Sequence, residues 1–314
     1  MRFEPRAFPL LIAAFALSAC DTGSSPTLAP MAGAPAASAG AAGSLASGGD
    51  GALGGSAGVP VAGGGGSASG GAPASEGAFK LLFRDDFEQL DASRWQAMTH
   101  SWDTNLALFS SQSVVVEEGE LRIRLLEAPA GTVDDSGAAK PYLGAEVRSL
   151  DTLTYGRVRA RLKFAKGPGV VSSLVTIYTP WPADDWNELD IECLGKEPTD
   201  LQLNTMVYTG PPKEPPVTSS VTPTAKPFKP ALAFDPTADF HVYTMEWTPE
   251  SARFLVDDAL LYTWTEHIDL MKLPQNVLLT IWASSSAAWA GAVGEGTVGS
   301  EARYDWIELY NYAP

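Results

Sequence analysis

Polar and apolar residues alternate over residues 157–164, which read Arg, Val, Arg, Ala, Arg, Leu, Lys, Phe. A strand sends every second side chain to the same face, so this run predicts basic residues outward and apolar residues into a core. A helix would scatter the same arginines around its axis. Short alternating or β-branched runs recur at 120–125, 170–179, 201–208, 240–248, 252–256, 260–265, 277–283 and 303–310, separated by Gly, Pro, Asp and Ser. Helical periodicity is nearly absent; only 268–273 could form a turn or two. Many short strands at this spacing predict an all-β fold, a two-sheet β-sandwich or jelly roll. Val256-Asp257-Asp258-Ala259 reads as a hairpin turn, because Asp tolerates positive φ. Residues 210–236 are proline-rich and too long for a plain connection, and they are expected to run over the surface at a cleft rim.

The fold must be built from only part of the 314 residues. Residues 21–77 hold 17 of the 30 glycines and no aromatic residue. Such a segment cannot bury enough apolar surface to offset the entropy of ordering it. Residues 78–314 remain, long enough for one large β domain. They carry all the tryptophans and tyrosines. They also carry 19 basic and 33 acidic residues, a net charge of −14 within the chain's −16. That balance argues against nucleic acid or anionic lipid as a partner of the domain and suits a neutral polymer. No glycine-rich phosphate loop and no Gly-x-Ser-x-Gly elbow occurs. His100, His241 and His267 lack metal-ligand spacing, so no catalytic cofactor is expected.

The N-terminus reads as an address. Arg2 and Arg6 precede an apolar run over 7–17, too short to span a bilayer but suited to a signal peptide. It ends Leu17-Ser18-Ala19-Cys20, which resembles a bacterial lipobox whose cysteine is acylated. The expectation is an exported, membrane-anchored lipoprotein with residues 1–20 as signal, Cys20 as the lipid site and 21–77 as a disordered tether. An ordinary secretory signal is the alternative. A flexible tether of this length reaches roughly 40 Å.

The chemistry-bearing stretch is Trp186-Asn187-Glu188-Leu189-Asp190-Ile191-Glu192. On a strand, Glu188, Asp190 and Glu192 line one face while Leu189 and Ile191 face the core. Like charges in a row repel, so protons should be shared or retained near neutral pH. Glycoside hydrolysis needs that combination: one carboxylate to attack or activate water, and one carboxylic acid to protonate the leaving group. Any half-exposed strand shows the same alternation, so the pattern by itself leaves both readings open. Trp186, Trp282 and Trp289 add flat apolar faces of the kind a sugar cleft requires.

The order of motifs from about residue 80 to 312 resembles glycoside hydrolase family 16, especially its bacterial licheninases. The core of the likeness is Asn187-Glu188-Leu189-Asp190-Ile191-Glu192-Cys193-Leu194-Gly195-Lys196. Gly144-Ala145-Glu146-Val147-Arg148-Ser149, Tyr155-Gly156 and Gly169-Val170-Val171-Ser172-Ser173 flank it upstream. Leu203-Asn204, Phe240-His241-Val242-Tyr243, Glu246-Trp247, Trp282 and Tyr304-Asp305-Trp306 follow. The resemblance implies a jelly roll with a concave cleft, Glu188 as nucleophile, Glu192 as general acid/base and Asp190 as the residue that holds the nucleophile. It implies sugar contacts at Glu146, Arg148, Trp186, Asn204 and Trp282, and a structural calcium at Asp305 and the carbonyl of Gly119. Val175, Ile177 and Met206 stand where licheninases often present aromatic rings. Laminarin-cleaving members usually carry one extra residue between the positions of Asp190 and Glu192; this chain has none. The implied function is a monomeric endo-β-1,3-1,4-glucanase acting with retention. Alternatives are a transglycosylase, a laminarinase-type hydrolase, a non-catalytic carbohydrate-binding protein and a structural envelope domain.

Overall fold

The computed structural model describes residues 78–179, 185–197, 199, 201–209 and 228–314. The signal, Cys20, the tether and residues 210–227 of the proline-rich stretch lie outside the described residues. Sixteen strands run through the described residues: β1 Phe79–Asp85, β2 Trp95–Ala97, β3 Ala107–Phe109, β4 Val114–Glu117, β5 Glu120–Arg124, β6 Leu126–Glu127, β7 Tyr142–Leu153 and β8 Gly156–Lys163. They continue with β9 Val170–Ile177, β10 Asp185–Leu194, β11 Leu201–Thr209, β12 His241–Trp247, β13 Ala252–Val256, β14 Ala259–Trp264, β15 Gln275–Ala283 and β16 Glu301–Tyr312. A four-residue helix, α1 Ala287–Ala290, follows β15. The predicted turn at 268–273 is a 3-10 turn over Ile268–Leu270.

The strands form two sheets, antiparallel throughout except that β3 runs parallel to β7. One has the order β14-β13-β12-β8-β16-β5-β4, with β1 also on β16. β16 is long enough to pair with β5 through 301–304 and with β1 through 307–312. The other sheet has the order β11-β10-β9-β15-β7-β2, with β3 and β6 on the early part of β7. This is the expected jelly-roll sandwich. The Asp257-Asp258 turn is as read: both residues have positive φ, 48° and 63°, and they join β13 to β14 as a two-residue hairpin.

Period-2 alternation explains how the sheets face each other. Val158, Ala160 and Leu162 of β8 and Leu189, Ile191 and Cys193 of β10 share one buried cluster with Tyr304, Ile307 and Leu309 of β16. The alternate residues of β8 point outward and are matched by carboxylates: Arg159 with Asp258 at 2.9 Å and Arg161 with Asp305 at 2.5 Å. Arg157 departs from the outward expectation and is buried. It pairs with Glu246 at 2.7 Å and lies over the Phe79 ring at 4.3 Å, which removes the cost of an uncompensated buried charge. One tie crosses the core: the Tyr304 hydroxyl donates to the carbonyl of Ser173 on β9 at 2.9 Å.

Candidate active site

β10 carries the carboxylate row between β9 and β11. With Leu189, Ile191 and Cys193 committed to the core, Glu188, Asp190 and Glu192 are forced to the other face of the sheet. Glu188 lies opposite Ile177 of β9 and Met206 of β11, Asp190 opposite Val175 and Asn204, and Glu192 opposite Ser173 and Gln202. The pairing on both sides runs from Glu188 to Cys193 without a bulge. Farther across the sheet, Ser173 faces Thr280 of β15, which faces Glu146 of β7, while Val175 faces Leu278, which faces Arg148. The face is thus crossed by a polar row, Glu146–Thr280–Ser173–Glu192–Gln202. Beside it runs a mixed row, Arg148–Leu278–Val175–Asp190–Asn204. Ser173 and Thr280 join hydroxyl to hydroxyl at 2.5 Å.

The three carboxyls are almost wholly enclosed, with 0, 2 and 9 % exposure for Glu188, Asp190 and Glu192. Burial raises the proton affinity of all three. Burial pushes Glu188 up to about 8; the neighbouring Glu192 charge adds to this, and a hydrogen bond with Asp190 opposes it. Asp190 is raised well above the usual carboxylate range by burial, by the Glu188 charge and by the same hydrogen bond. Glu192 is raised by burial and by the charge of Asp190. Asp190 apart, no protein group donates to either Glu188 oxygen, and none donates to Asp190 Oδ1. A proton held by Asp190 and donated to Glu188 satisfies both groups, which is why the shared bond lowers one affinity and raises the other. The row titrates as a coupled unit, and the ionised form of Glu188, when it is populated, is supported by the Asp190 proton.

Apolar clusters flank the row at both ends. Trp186 packs with Val175, Ile177, Met206 and Leu278 and is 4 % exposed. At the other end Trp282, Trp102, Phe109, Val171 and Leu194 pack together, with Trp289 against them. Trp282 was expected to offer a ring to sugar, but it is fully buried, edge-on to Trp102 at 5.0 Å. Trp289 lies over it at 5.7 Å and is itself partly exposed, on α1 rather than on a strand. The Trp289 indole N–H donates to Gln202 Oε1 at 3.1 Å.

Glu146 is enclosed in the same way, as is Glu188. It was expected to touch sugar, yet it has no exposed surface. Its Oε1 accepts from Arg148 Nε at 2.8 Å and from a terminal guanidinium nitrogen at 2.5 Å; its Oε2 meets His100 Nε2 at 3.1 Å. These partners hold its carboxyl ionised, below its ordinary pKa, against the opposing effect of burial. Arg148 and Asn204 remain partly exposed on the cleft face. His100, Ser173, Thr280 and Gln202 were not identified as site residues from the sequence. His100 lies 46 residues from its partner Glu146, and no local pattern links the two.

The β5–β16 pairing ends at Leu121 opposite Tyr304, so Gly119 and Asp305 both fall just past that end. Asp305 gives Oδ2 to Arg161 and keeps Oδ1. One free carboxylate oxygen is a ligand of the kind calcium accepts, but calcium takes about six to eight of them. Among the described residues no group of three or more His, Cys, Asp or Glu converges as a metal site.

The sequence profile described as "Glycosyl hydrolases family 16" matches residues 98–308. A β-glucanase of Fibrobacter succinogenes is 32 % identical over 193 residues, which are 60 % of this chain and 52 % of that protein. The chain therefore spans about half the length of that relative. A β-glucanase of Bacillus subtilis is 29 % identical over 229 residues, 72 % of this chain and 84 % of that protein. A solved β-1,3-1,4-glucanase (lichenase) from a mouse hindgut metagenome is 29 % identical. It superposes with a TM-score of 0.62 over 73 % of this chain and 98 % of that one. With the profile spanning most of the sandwich and the whole carboxylate strand, the chain belongs to family 16 of the glycosyl hydrolases.

Proposed function

We propose that the domain is an endo-β-1,3-1,4-glucanase that cleaves with retention of anomeric configuration. The observation that carries this reading is the buried row on β10: three coupled carboxyls with raised proton affinity on one face of one strand. The ionised form of Glu188, supported by the Asp190 proton, attacks the anomeric carbon. As the bond to the leaving oxygen breaks, Glu192 delivers its proton to that oxygen. The products of this step are a glycosyl ester on Glu188 and an ionised Glu192. Glu192 then takes a proton from water, the water oxygen attacks the anomeric carbon, and Glu188 leaves as carboxylate.

The mixed-linkage substrate is supported by the lichenase and β-glucanase relatives and by the uninterrupted register of β10, which leaves no room for an added residue between Asp190 and Glu192. Arg148, Asn204, Trp289 and the apolar group around Trp186 form the walls against which the polymer lies. A calcium held by Asp305 Oδ1 and the Gly119 carbonyl would pin the β4–β5 turn to β16 and take no part in bond cleavage. At the N-terminus, acylation of Cys20 would tether the domain to a membrane through residues 21–77. Fatty-acid labelling that persists in Cys20→Ser would refute the anchor.

Incubation with barley β-glucan, lichenan and laminarin, with early NMR of the anomeric proton, tests the reading. Mixed-linkage glucan should be cut and the first product should be the β-anomer. An initial α-anomer would overturn double displacement. Cleavage of laminarin alone would overturn the substrate assignment, and oligosaccharides longer than the substrate at high acceptor concentration would make the chain a transglycosylase.

A further inference from the structure

We infer that Ile177 and Met206 are positioning residues for the nucleophile: from the two neighbouring strands they keep water and hydrogen-bond donors from the Glu188 carboxyl, and so set the pH at which cleavage begins. The inference rests on the glucanase reading, with Glu188 as nucleophile, and deepens it. Ile177 of β9 and Met206 of β11 lie directly opposite Glu188. Directly opposed residues of an antiparallel pair share a face, with Cβ atoms about 5 Å apart. Ile177 and Met206 are 0 and 4 % exposed and pack with Trp186, Val175 and Leu278. At both positions the family resemblance implies aromatic rings against sugar; this chain carries an aliphatic and a thioether group there instead.

The two ends of the carboxylate row are unlike. Glu192 lies opposite Ser173 and Gln202. Gln202 gives its Oε1 to the Trp289 indole N–H, and its enclosed amide nitrogen has no protein partner, so a donor remains at the Glu192 end of the row. Glu188 has apolar neighbours on both sides, and Asp190 is the one protein group that donates to it among the described residues. A carboxylate in such a place loses hydration and gains little in exchange, which favours the neutral acid. Burial is the largest of the effects that push Glu188 up, to about 8.

Few ionisable groups face Glu188. Its own strand brings Asp190 and Glu192. Strands β9, β11 and β15 bring none to this face among the described side chains; Tyr178, just past β9, packs against the Trp186 cluster. Strand β7 brings Arg148 and Glu146, which pair with each other, and His100 pairs with Glu146. Leu278 and Val175 stand between Arg148 and Asp190. The apolar flanks are therefore the part of the Glu188 environment that a single side chain can change. A polar group at either position would give the anion the support it lacks, and cleavage would begin at lower pH.

The test uses Met206→Gln and Ile177→Thr, which add a polar group, and Met206→Leu, which does not. Each is made in the Glu192→Ala chain and given an aryl β-glycoside of a gluco-oligosaccharide with a good leaving group. Such a substrate needs attack by Glu188 and no proton from residue 192, so the pH dependence of aryl alcohol release in the first turnover follows the nucleophile. The midpoint should fall by about one pH unit in Met206→Gln and in Ile177→Thr, and should stay in place in Met206→Leu. The acidic limb of kcat/KM on barley β-glucan, measured with Glu192 intact, should move in the same way. Should Ile177→Thr not fold, Met206→Gln, close to Met in length and on the terminal strand of its sheet, carries the test. An unmoved midpoint in Met206→Gln, an equal displacement in Met206→Leu, or a loss of rate without displacement would overturn the inference and leave the glucanase reading intact. A parent protein inactive on every glucan, or aryl release that survives Glu188→Gln, would refute that reading and this inference with it.

Discussion

Tyr304 and Ser173 join the two sheets directly: the phenol of β16 donates to the carbonyl of β9 at 2.9 Å through an otherwise apolar core. Ser173 pairs with Glu192, so this tie sits directly behind the carboxylate row. Burial drives the Tyr304 pKa upward, which keeps the hydroxyl a donor at any pH the fold survives. Tyr304→Phe should therefore cost about 1–2 kcal/mol, seen as a loss of a few degrees in Tm, with a smaller effect on KM than on stability. Thermal unfolding followed by circular dichroism checks it; an unchanged Tm would mean that the bond contributes nothing net.

Glu188→Gln should abolish hydrolysis on every substrate while preserving the fold, because an amide keeps the shape but cannot attack the anomeric carbon. Glu192→Ala should still be glycosylated by substrates with good leaving groups, and added azide should restore its turnover. Stopped assays with an aryl glycoside, with and without azide, read both. Residual turnover within tenfold of the parent in Glu188→Gln would exclude it as nucleophile.

The raised affinities also predict a stability trend with pH. The folded Glu188 holds its proton up to about 8, whereas in the unfolded chain it ionises near the ordinary 4.5. Between those values the folded state binds more protons, so stability falls as pH rises through that window. Asp190 and Glu192 are shifted in the same direction and add to the trend. Glu188→Gln removes one contributor, so its Tm relative to the parent should rise between pH 5 and pH 8. Each kcal/mol appears as roughly 2–4 °C in a domain of this size. A Tm difference that is flat or falls with pH would contradict the buried row.

The two late tryptophans should separate cleanly. Trp289→Ala removes a partly exposed ring and the donor to Gln202, and should weaken binding of long oligosaccharides by about 1–2 kcal/mol with little loss of Tm. Trp282→Ala empties a fully buried site against Trp102 and should cost about 3–5 kcal/mol of stability. Calorimetric titration and thermal melts on both variants test the contrast. Equal effects on affinity would return Trp282 to the sugar-contacting set.

What the sequence determined by itself is everything that depends on local period. Alternation at 157–164 and 186–192 specified strands, their inward and outward faces, and therefore the placement of Glu188, Asp190 and Glu192 on one face of β10. Turn chemistry placed the Asp257-Asp258 hairpin, because the φ values it requires are properties of two adjacent residues. What only the tertiary structure decided is which of those outward residues remain accessible. Glu146 and Trp282 have the same strand phase as a sugar-contacting residue, but each is enclosed by groups distant in sequence: His100 for the first, Trp102 and Trp289 for the second. The proton affinities follow the same division. Desolvation comes from every strand packed around a group, so a row of carboxylates legible in seven residues acquires its chemistry only when β9 and β11 close on either side of it.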